Sequence, residues 1–372
     1  MKLIIYETTH HENLPAILDL AVLRSDSIAV FLDELSYQHL HPEIKDNWPG
    51  VEYIIRKEGE EHRKFISSMF EFAQKGHYTH LHLCTISNNY LYLAWKLLRT
   101  PHVHVSLTVH EINYYRSYLF KDFRDITECL AKIYLHRRIR RFRALIPRMK
   151  IEIEKYFPLA KTTFIPSRFY VFPITKNKIS KNKIVIPGTV ENNRRNYEFA
   201  INFISIYLVK EEFKLPVNIV LLGNSDSNDG ATIVQRLKKL ENEGLHFTYY
   251  SAPVTANEYA RQMNDAKLIW SPINLLTNGS RGQKEIYGIT KSPGLNSDLI
   301  QFPKQAFVPA DFNIPTYFKQ AMKGYVDESD LWQKMKKLLQ EENLELLQNI
   351  EKDLSVLTPV HFTNAFDILM QT

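Results

Sequence analysis

KIVIPGTVENNRRN, residues 183–196, decides the fold. It reads as an apolar strand, Lys183–Pro187, a glycine turn at Gly188, a polar loop, an arginine pair, and then an amphipathic helix over Asn196–Val209 with Phe199, Ile201, Phe203 and Ile206 among its apolar positions. A strand that feeds a helix through a glycine turn opens a βαβ unit, and the pattern repeats downstream. Val217–Leu222 is a second strand, ending in the polar turn Gly223-Asn224-Ser225-Asp226 before the helix Ala231–Leu240. Phe247–Tyr250, the helix Ala256–Asn264, Lys267–Ser271 and Ala306–Pro309 continue the alternation, and beyond Asp327 the pattern is helical, closing with the amphipathic stretch Val360–Met370.

Upstream lies an equivalent series. Lys2–Tyr6 is a strand followed by a polar loop and a helix, for which Asn13 is an N-cap and Pro15 an early position. Ser27–Leu32, Val51–Ile55, His80–Cys84 and His104–Val109 are further strands, with helices at Glu60–Gln74 and Tyr90–Arg99. A long helical region, Tyr115–Arg138, leads to a strand at Ala144–Pro147, a helix at Met149–Phe157 and a strand at Thr163–Pro166. Ser167–Asn182, rich in lysine and without a sustained period, reads as a connector. The expected fold is α/β, two tandem Rossmann-like doubly wound domains facing a central cleft. Residues 1–170 form the first, residues 183–350 the second, and residues 351–372 a C-terminal helix that packs back on the first.

Composition agrees with a folded two-domain chain. At 372 residues it has the length of about two domains, and 44% hydrophobic with 24% charged residues is ordinary globular content. The apolar run in MKLIIYETTHHENL is too short for a signal-peptide core, and no stretch is long enough to span a bilayer. Two cysteines, Cys84 and Cys129, suit a reducing compartment, so cytoplasmic residence is expected. The net charge of +6 and pI of 9.0 favour anionic ligands or surfaces. Arg137, Arg138, Arg140, Arg141 and Arg143 concentrate that charge, as a solvated helix face or as a patch for anionic lipid at the inner face of the membrane or for a charged acceptor. No zinc-finger spacing, RNP-like strand or basic zipper is present, and nucleic acid is not an expected partner.

Ligands of open α/β sheets bind beyond the carboxyl ends of the strands. In the second domain, Gly188 and Thr189 with Arg194 and Arg195 make a candidate diphosphate site, since loop amides meet phosphate oxygens and guanidiniums add charge-assisted bonds. G-x-G-x-x-G follows no strand, which argues against a nicotinamide dinucleotide. Asn278–Gly294 holds four of the twelve glycines, with Glu285 suited to ribose or sugar hydroxyls and Arg281, Lys284 and Lys291 to phosphate. In the first domain His110 and Glu111 follow a strand, and Thr9-His10-His11-Glu12 lies at the equivalent edge. An imidazole at His110 can donate to a sugar hydroxyl or act as general base on an acceptor. His80, His82 and Cys84 share one strand face and His102 and His104 the next, but they lie along strand bodies or at strand starts. Hydrogen-bonded structural histidines are the expected reading, and a metal site is not.

These residues resemble the GT-B glycosyltransferases, in particular the retaining family-four type. KIVIPGTVENNRRNYEFAINF is similar to that family's opening strand, glycine turn, basic residue and helix, with Gly188 and Arg195 in the glycine and lysine-like positions. VNIVLLGN is similar to its next strand, ending in Gly223, and KLIWSPINLLTNGSRGQKEIYG to the strand and loop that reach its Glu-x-Phe-Gly motif, matched by Glu285, Tyr287 and Gly288. SLTVHE resembles the strand that ends in a catalytic-site histidine, here His110. The resemblance implies a metal-independent hexosyltransferase of bacterial-type glycan synthesis, with His110 and Glu285 catalytic. It implies a nucleotide-diphosphate sugar as donor rather than a tightly bound cofactor. Gly188, Thr189, Arg194, Arg195, Gly223, Tyr287, Gly288 and Lys291 would bind the nucleotide sugar, and His10, His11 and Glu111 would face a carbohydrate or lipid-linked acceptor. Pro293 stands where the family has a second glutamate, and Thr8-Thr9-His10-His11 replaces its Gly-Gly loop, so ribose recognition differs. A sugar-nucleotide epimerase of the same fold and a non-catalytic scaffold are the alternatives.

Overall fold

A computed structural model describes residues 1–86, 88–117, 123–171, 182–209, 216–242, 244–340 and 344–371. Most of the connector expected at Ser167–Asn182 lies outside them, as do residues 118–122 of the long helical region.

The first domain runs β1 (Lys2–Glu7), α1 (Leu14–Arg24), β2 (Ser27–Asp33), α2 (Glu34–Asn47), β3 (Val51–Arg56), α3 (His62–Lys75), β4 (His80–Leu83), α4 (Tyr90–Leu98), β5 (His104–Val109), α5 (Ile112–Arg116), α6 (Phe123–Arg138), β6 (Arg141–Ala144), α7 (Pro147–Tyr156) and β7 (Lys161–Phe164). Its seven strands are parallel, in the order β3-β2-β1-β4-β5-β6-β7. Side chains alternate across the sheet. Leu3, Ile5 and Val30 belong to the core under α1, whereas Ile4, Tyr6 and Phe31 join Phe65, Met69, Leu93 and Leu97 of α3 and α4.

The second domain runs β8 (Lys183–Pro187), α8 (Tyr197–Phe203, extended by a π-helical turn over Ile204–Val209), β9 (Val217–Asn224), α9 (Asn228–Lys238), β10 (Leu245–Tyr250), α10 (Ala256–Asp265), β11 (Leu268–Trp270), the hairpin β12 (Leu276–Asn278) and β13 (Lys284–Ile286), α11 (Gly294–Gln301), β14 (Ala306–Pro309), β15 (Met322–Tyr325), α12 (Glu328–Gln340) and α13 (Leu344–Leu354). Six of its strands form a parallel sheet, β10-β9-β8-β11-β14-β15, and β12 pairs with β13 antiparallel. α14 (Pro359–Met370) crosses back and packs on α1, β5, β6 and β7 of the first sheet.

Two local expectations change. The strand expected at Ala144–Pro147 ends at Ala144, because Pro147 takes the first position of α7, where a missing N–H costs nothing. Arg143 leaves the arginine run: fully buried in β6, it donates to Asn13 O at 2.8 Å, to Ile165 O at 3.1 Å and to Pro166 O, stapling the sheet to the start of α1.

In both sheets the strand order reverses beside the first strand, between β1 and β4 and between β8 and β11. Those switch points open a crevice at the carboxyl ends of the strands.

Candidate active site between the two sheets

On the first-domain side the chain leaves β1 through Glu7, a fully buried carboxylate that accepts from Thr9 N, from His10 N at 2.7 Å and from Thr85 Oγ1 at 2.8 Å. Burial lifts its pKa against those bonds. The loop it ties down places the His10 ring on that of His110, centroids 4.4 Å apart and 23° from parallel. Burial disfavours a charged His10, yet Glu12, which accepts from its Nδ1 at 3.1 Å, and Glu7 outweigh burial and raise it. Glu12 itself is pulled down to about 2: burial opposes its charge, but the bond and charge of His10 prevail.

His110 is the opposite case. Burial and the neighbouring His10 push it down to about 3, so it is a neutral imidazole. Its Nε2 lies 2.7 Å from Cys84 O, and a carbonyl only accepts, so Nε2 carries the hydrogen. Nδ1 is left as an acceptor. Of the two expected roles, donor to a sugar hydroxyl and general base on an acceptor, this geometry is compatible with the second, since the donating Nε2 is engaged by Cys84 O. His11 stacks instead on His39, centroids 4.5 Å apart.

On the second-domain side Gly188 has φ +94°, and a Cβ there would meet the Arg195 guanidinium at 2.0 Å. A Cβ on Gly223 would fall 2.2 Å from Gly188 O, so the two turns approach as only glycines allow. The Arg195 guanidinium thus lies over the turn, its Nη1 donating to Thr189 O at 3.0 Å while its Nε is buried without a partner. Arg194 is separate: it is exposed and paired with Glu191 at 2.8 Å. The two arginines have different partners, and Arg195 is the one at the turn. Near it on α11 stands Asp298, missed in the sequence, which accepts from Tyr259 Oη at 2.9 Å. Burial lifts Asp298 to about 7 against that bond and the charges of Arg195 and Arg168.

The Asn278–Gly294 segment is not an open loop. The β12–β13 hairpin reaches onto the first domain as a strap. Ser280 N donates to Glu111 Oε2 at 2.7 Å, the Lys291 ammonium pairs with Glu111 Oε1, Ile112 N donates to Thr290 O at 3.0 Å, and Arg281 at the tip pairs with Asp125 at 2.7 Å and with Glu128. Arg281 and Lys291 are therefore held by carboxylates rather than offered to phosphate, and Glu111 is turned to the strap rather than to an acceptor. Glu285 is fully buried in the same joint, Oε1 accepting from Tyr114 N at 2.9 Å and Oε2 without a partner. Burial pushes it up to about 7. In this arrangement its carboxylate does not open on the crevice. Tyr287 is buried behind it, Gly288 makes the turn that follows at φ +81°, and Pro293 precedes the first turn of α11.

Of the clustered histidines, His80 is bonded by Thr79 at 2.8 Å and His82 is fully buried. His82 is bonded by Ser106 at 2.8 Å and Thr108 at 3.0 Å. Among the described residues no group of three or more His, Cys, Asp or Glu is arranged to hold a metal ion.

No family model and no curated protein matches the chain. Solved structures do. Anabaena HepE in complex with UDP and glucose aligns over 98% of each chain with TM-score 0.61 at 11% identity. Sucrose-phosphate synthase from Thermosynechococcus elongatus aligns over 99% of each chain with TM-score 0.60 at 11% identity. UDP-GlcNAc 2-epimerase from Neisseria meningitidis, bound to UDP-GlcNAc, covers 99% of this chain and 98% of its own with TM-score 0.55 at 14% identity. The chain has the GT-B fold, two Rossmann-like domains with their strand ends turned to one crevice. At these identities the likeness speaks for the fold alone.

Proposed function

We propose that the crevice binds a nucleotide-diphosphate sugar on the second-domain side and that the chain transfers the sugar to an acceptor held by the first domain. The observation that carries this reading is the pair of switch points, the Gly188 turn with Arg195 on one sheet and His10 stacked on His110 on the other. Buried Nε of Arg195 calls for an anionic oxygen, and Gly188 and Gly223 let a diphosphate approach the backbone. Arg195 stabilises the departing diphosphate as its bond to the anomeric carbon breaks and the acceptor hydroxyl oxygen bonds to that carbon, the hydroxyl proton passing to the departing phosphate oxygen, so the step needs no metal. His110 accepts a hydrogen bond from a sugar hydroxyl through Nδ1, and the His10–Glu12 pair supplies a fixed dipole beside it. Glu285 and Lys291 hold the domains in register rather than touch the donor. UDP and UDP-GlcNAc in two of the similar structures support the ligand class.

Epimerisation is the second reading. Asp298, lifted to about 7, is a carboxyl group able to exchange a proton near neutrality, as inversion at a sugar carbon requires. Incubation with UDP-glucose and with UDP-GlcNAc, with and without a carbohydrate acceptor, separates the two. Acceptor-dependent release of UDP supports transfer, and an epimer formed without acceptor overturns it.

A further inference from the structure

Helices α4 and α6 pack side by side on one face of the first sheet. Each buries an apolar face, Leu93 and Leu97 of α4 and Ala131 and Leu135 of α6. Each also carries large apolar side chains on its outer face, at spacings of four and three: Leu91, Trp95 and Leu98 on α4, and Ile126, Leu130 and Ile133 on α6. Leu98 is 63% exposed and Leu130 60%. A surface helix ordinarily turns polar residues outward, and two adjacent helices that do not do so mark an interaction surface.

Cations gather where both helices end. Arg99 lies over the Trp95 ring at 4.0 Å, and Arg137 continues the spacing of Ile126, Leu130 and Ile133. Arg137, Arg138 and Arg140, with Lys161 and His104, line a cavity of about 530 Å³ at the amino-terminal ends of β5, β6 and β7, the end of the sheet opposite the crevice. Arg138 donates to Pro101 O at 2.9 Å and to Val103 O, and Arg140 to Arg137 O at 3.3 Å. Carbonyls orient these guanidiniums without neutralising them, and none of the described lining residues is acidic. Partial burial, with the charges of Arg138 and Arg141, holds His104 below its ordinary range. On the rim stands Leu159, 83% exposed.

We propose that this surface, the outer faces of α4 and α6 with Arg137, Arg138 and Arg140 at their ends, docks on an anionic lipid bilayer. Apolar side chains enter the headgroup boundary while the arginines meet lipid phosphates, the two signals that stable peripheral binding needs. Charge complementarity selects the lipid: a cationic rim beside an apolar stripe fits an anionic headgroup layer over acyl chains. The proposal is independent of the chemistry in the crevice.

Flotation of the full chain with vesicles tests it. The chain floats with phosphatidylcholine–phosphatidylglycerol vesicles and not with phosphatidylcholine alone, and added salt weakens the association. Leu98→Asp with Leu130→Asp, and separately Arg137→Ser with Arg140→Ser, each lower binding by roughly tenfold or more. Unchanged thermal unfolding and unchanged nucleoside-diphosphate binding show that both variants are folded and that the crevice is untouched. Failure to float with anionic vesicles overturns the proposal. So does an aspartate variant that floats like the parent while inorganic pyrophosphate competes, which would leave a soluble-anion site. A dimer in sedimentation that the aspartate variant dissociates would make the face a contact between copies, and overturns it too.

Discussion

The ammonium of Lys291, from the second domain, sits on the carboxylate of Glu111, which follows β5 of the first, and both side chains are largely withdrawn from water. This pair, with Ser280 N on the other oxygen of Glu111, joins segments about half the chain apart and fixes how the two switch points face each other. Lys291→Met leaves Glu111 as a buried carboxylate with one bond fewer. The expected loss is near the low end of the roughly 3–5 kcal/mol for breaking a buried pair, read as a lower unfolding midpoint. The double variant Glu111→Gln with Lys291→Met recovers part of it, because no charge is then stranded.

Glu285 gives the joint a pH dependence. Its folded pKa is raised from 4.5 to about 7, so the folded state holds the proton more tightly than the unfolded. Stability from this group is complete below about 4.5 and is lost as pH rises to about 7, a total on the order of 3 kcal/mol at about 1.4 kcal/mol per unit. Glu7 and Asp298 are shifted the same way, so the comparison with Glu285→Gln isolates the joint. Thermal midpoints of the variant fall less steeply between those pH values than those of the parent. Parallel profiles would contradict the assignment.

Gly223→Ala forces a Cβ to within 2.2 Å of Gly188 O. Relief displaces the β8 turn and the Arg195 guanidinium over it. The expected cost is about 1–3 kcal/mol of stability, with nucleoside-diphosphate affinity falling further than that of a remote variant of equal stability. Calorimetry on both variants checks it.

His110→Ala removes a neutral acceptor beside the proposed sugar position. The turnover number falls roughly 100-fold while donor affinity stays within a few-fold. Because the ring is held down at about 3, the activity profile carries no inflection from His110 near its ordinary pKa. An inflection that vanishes in the variant would show a protonated His110 instead.

Much of the architecture was legible because buried parallel strands are short apolar runs. Lys2–Tyr6 and Lys183–Pro187 stand out, and the glycine turn at Gly188 follows from its neighbours. Arg141–Ala144 did not, since two of its four residues are arginines and one of them finds its partners in distant carbonyls. The helix Glu34–Asn47, capped by Asp33, carries too little apolar periodicity to show itself. The places of Gly188 and His110 just after strands and of Arg195 just before a helix were legible, while the pairings of the strap were hidden. Glu111, Lys291, Arg281 and Glu285 look like open ligand groups in sequence, and only partners more than a hundred residues away make them a joint. Asp298, within a helix and without a motif, had no local signal.

The central claim is that the Gly188 turn and Arg195 receive a nucleoside diphosphate. Thermal shift with UDP tests it most directly, comparing the parent with Arg195→Ala. A ligand at about 100 times its dissociation constant adds about 2.7 kcal/mol. The account predicts a rise in the parent midpoint with UDP that the variant loses, the ligand-free midpoints being close. Equal stabilisation of parent and variant, or none of the parent by any nucleoside diphosphate, would contradict it.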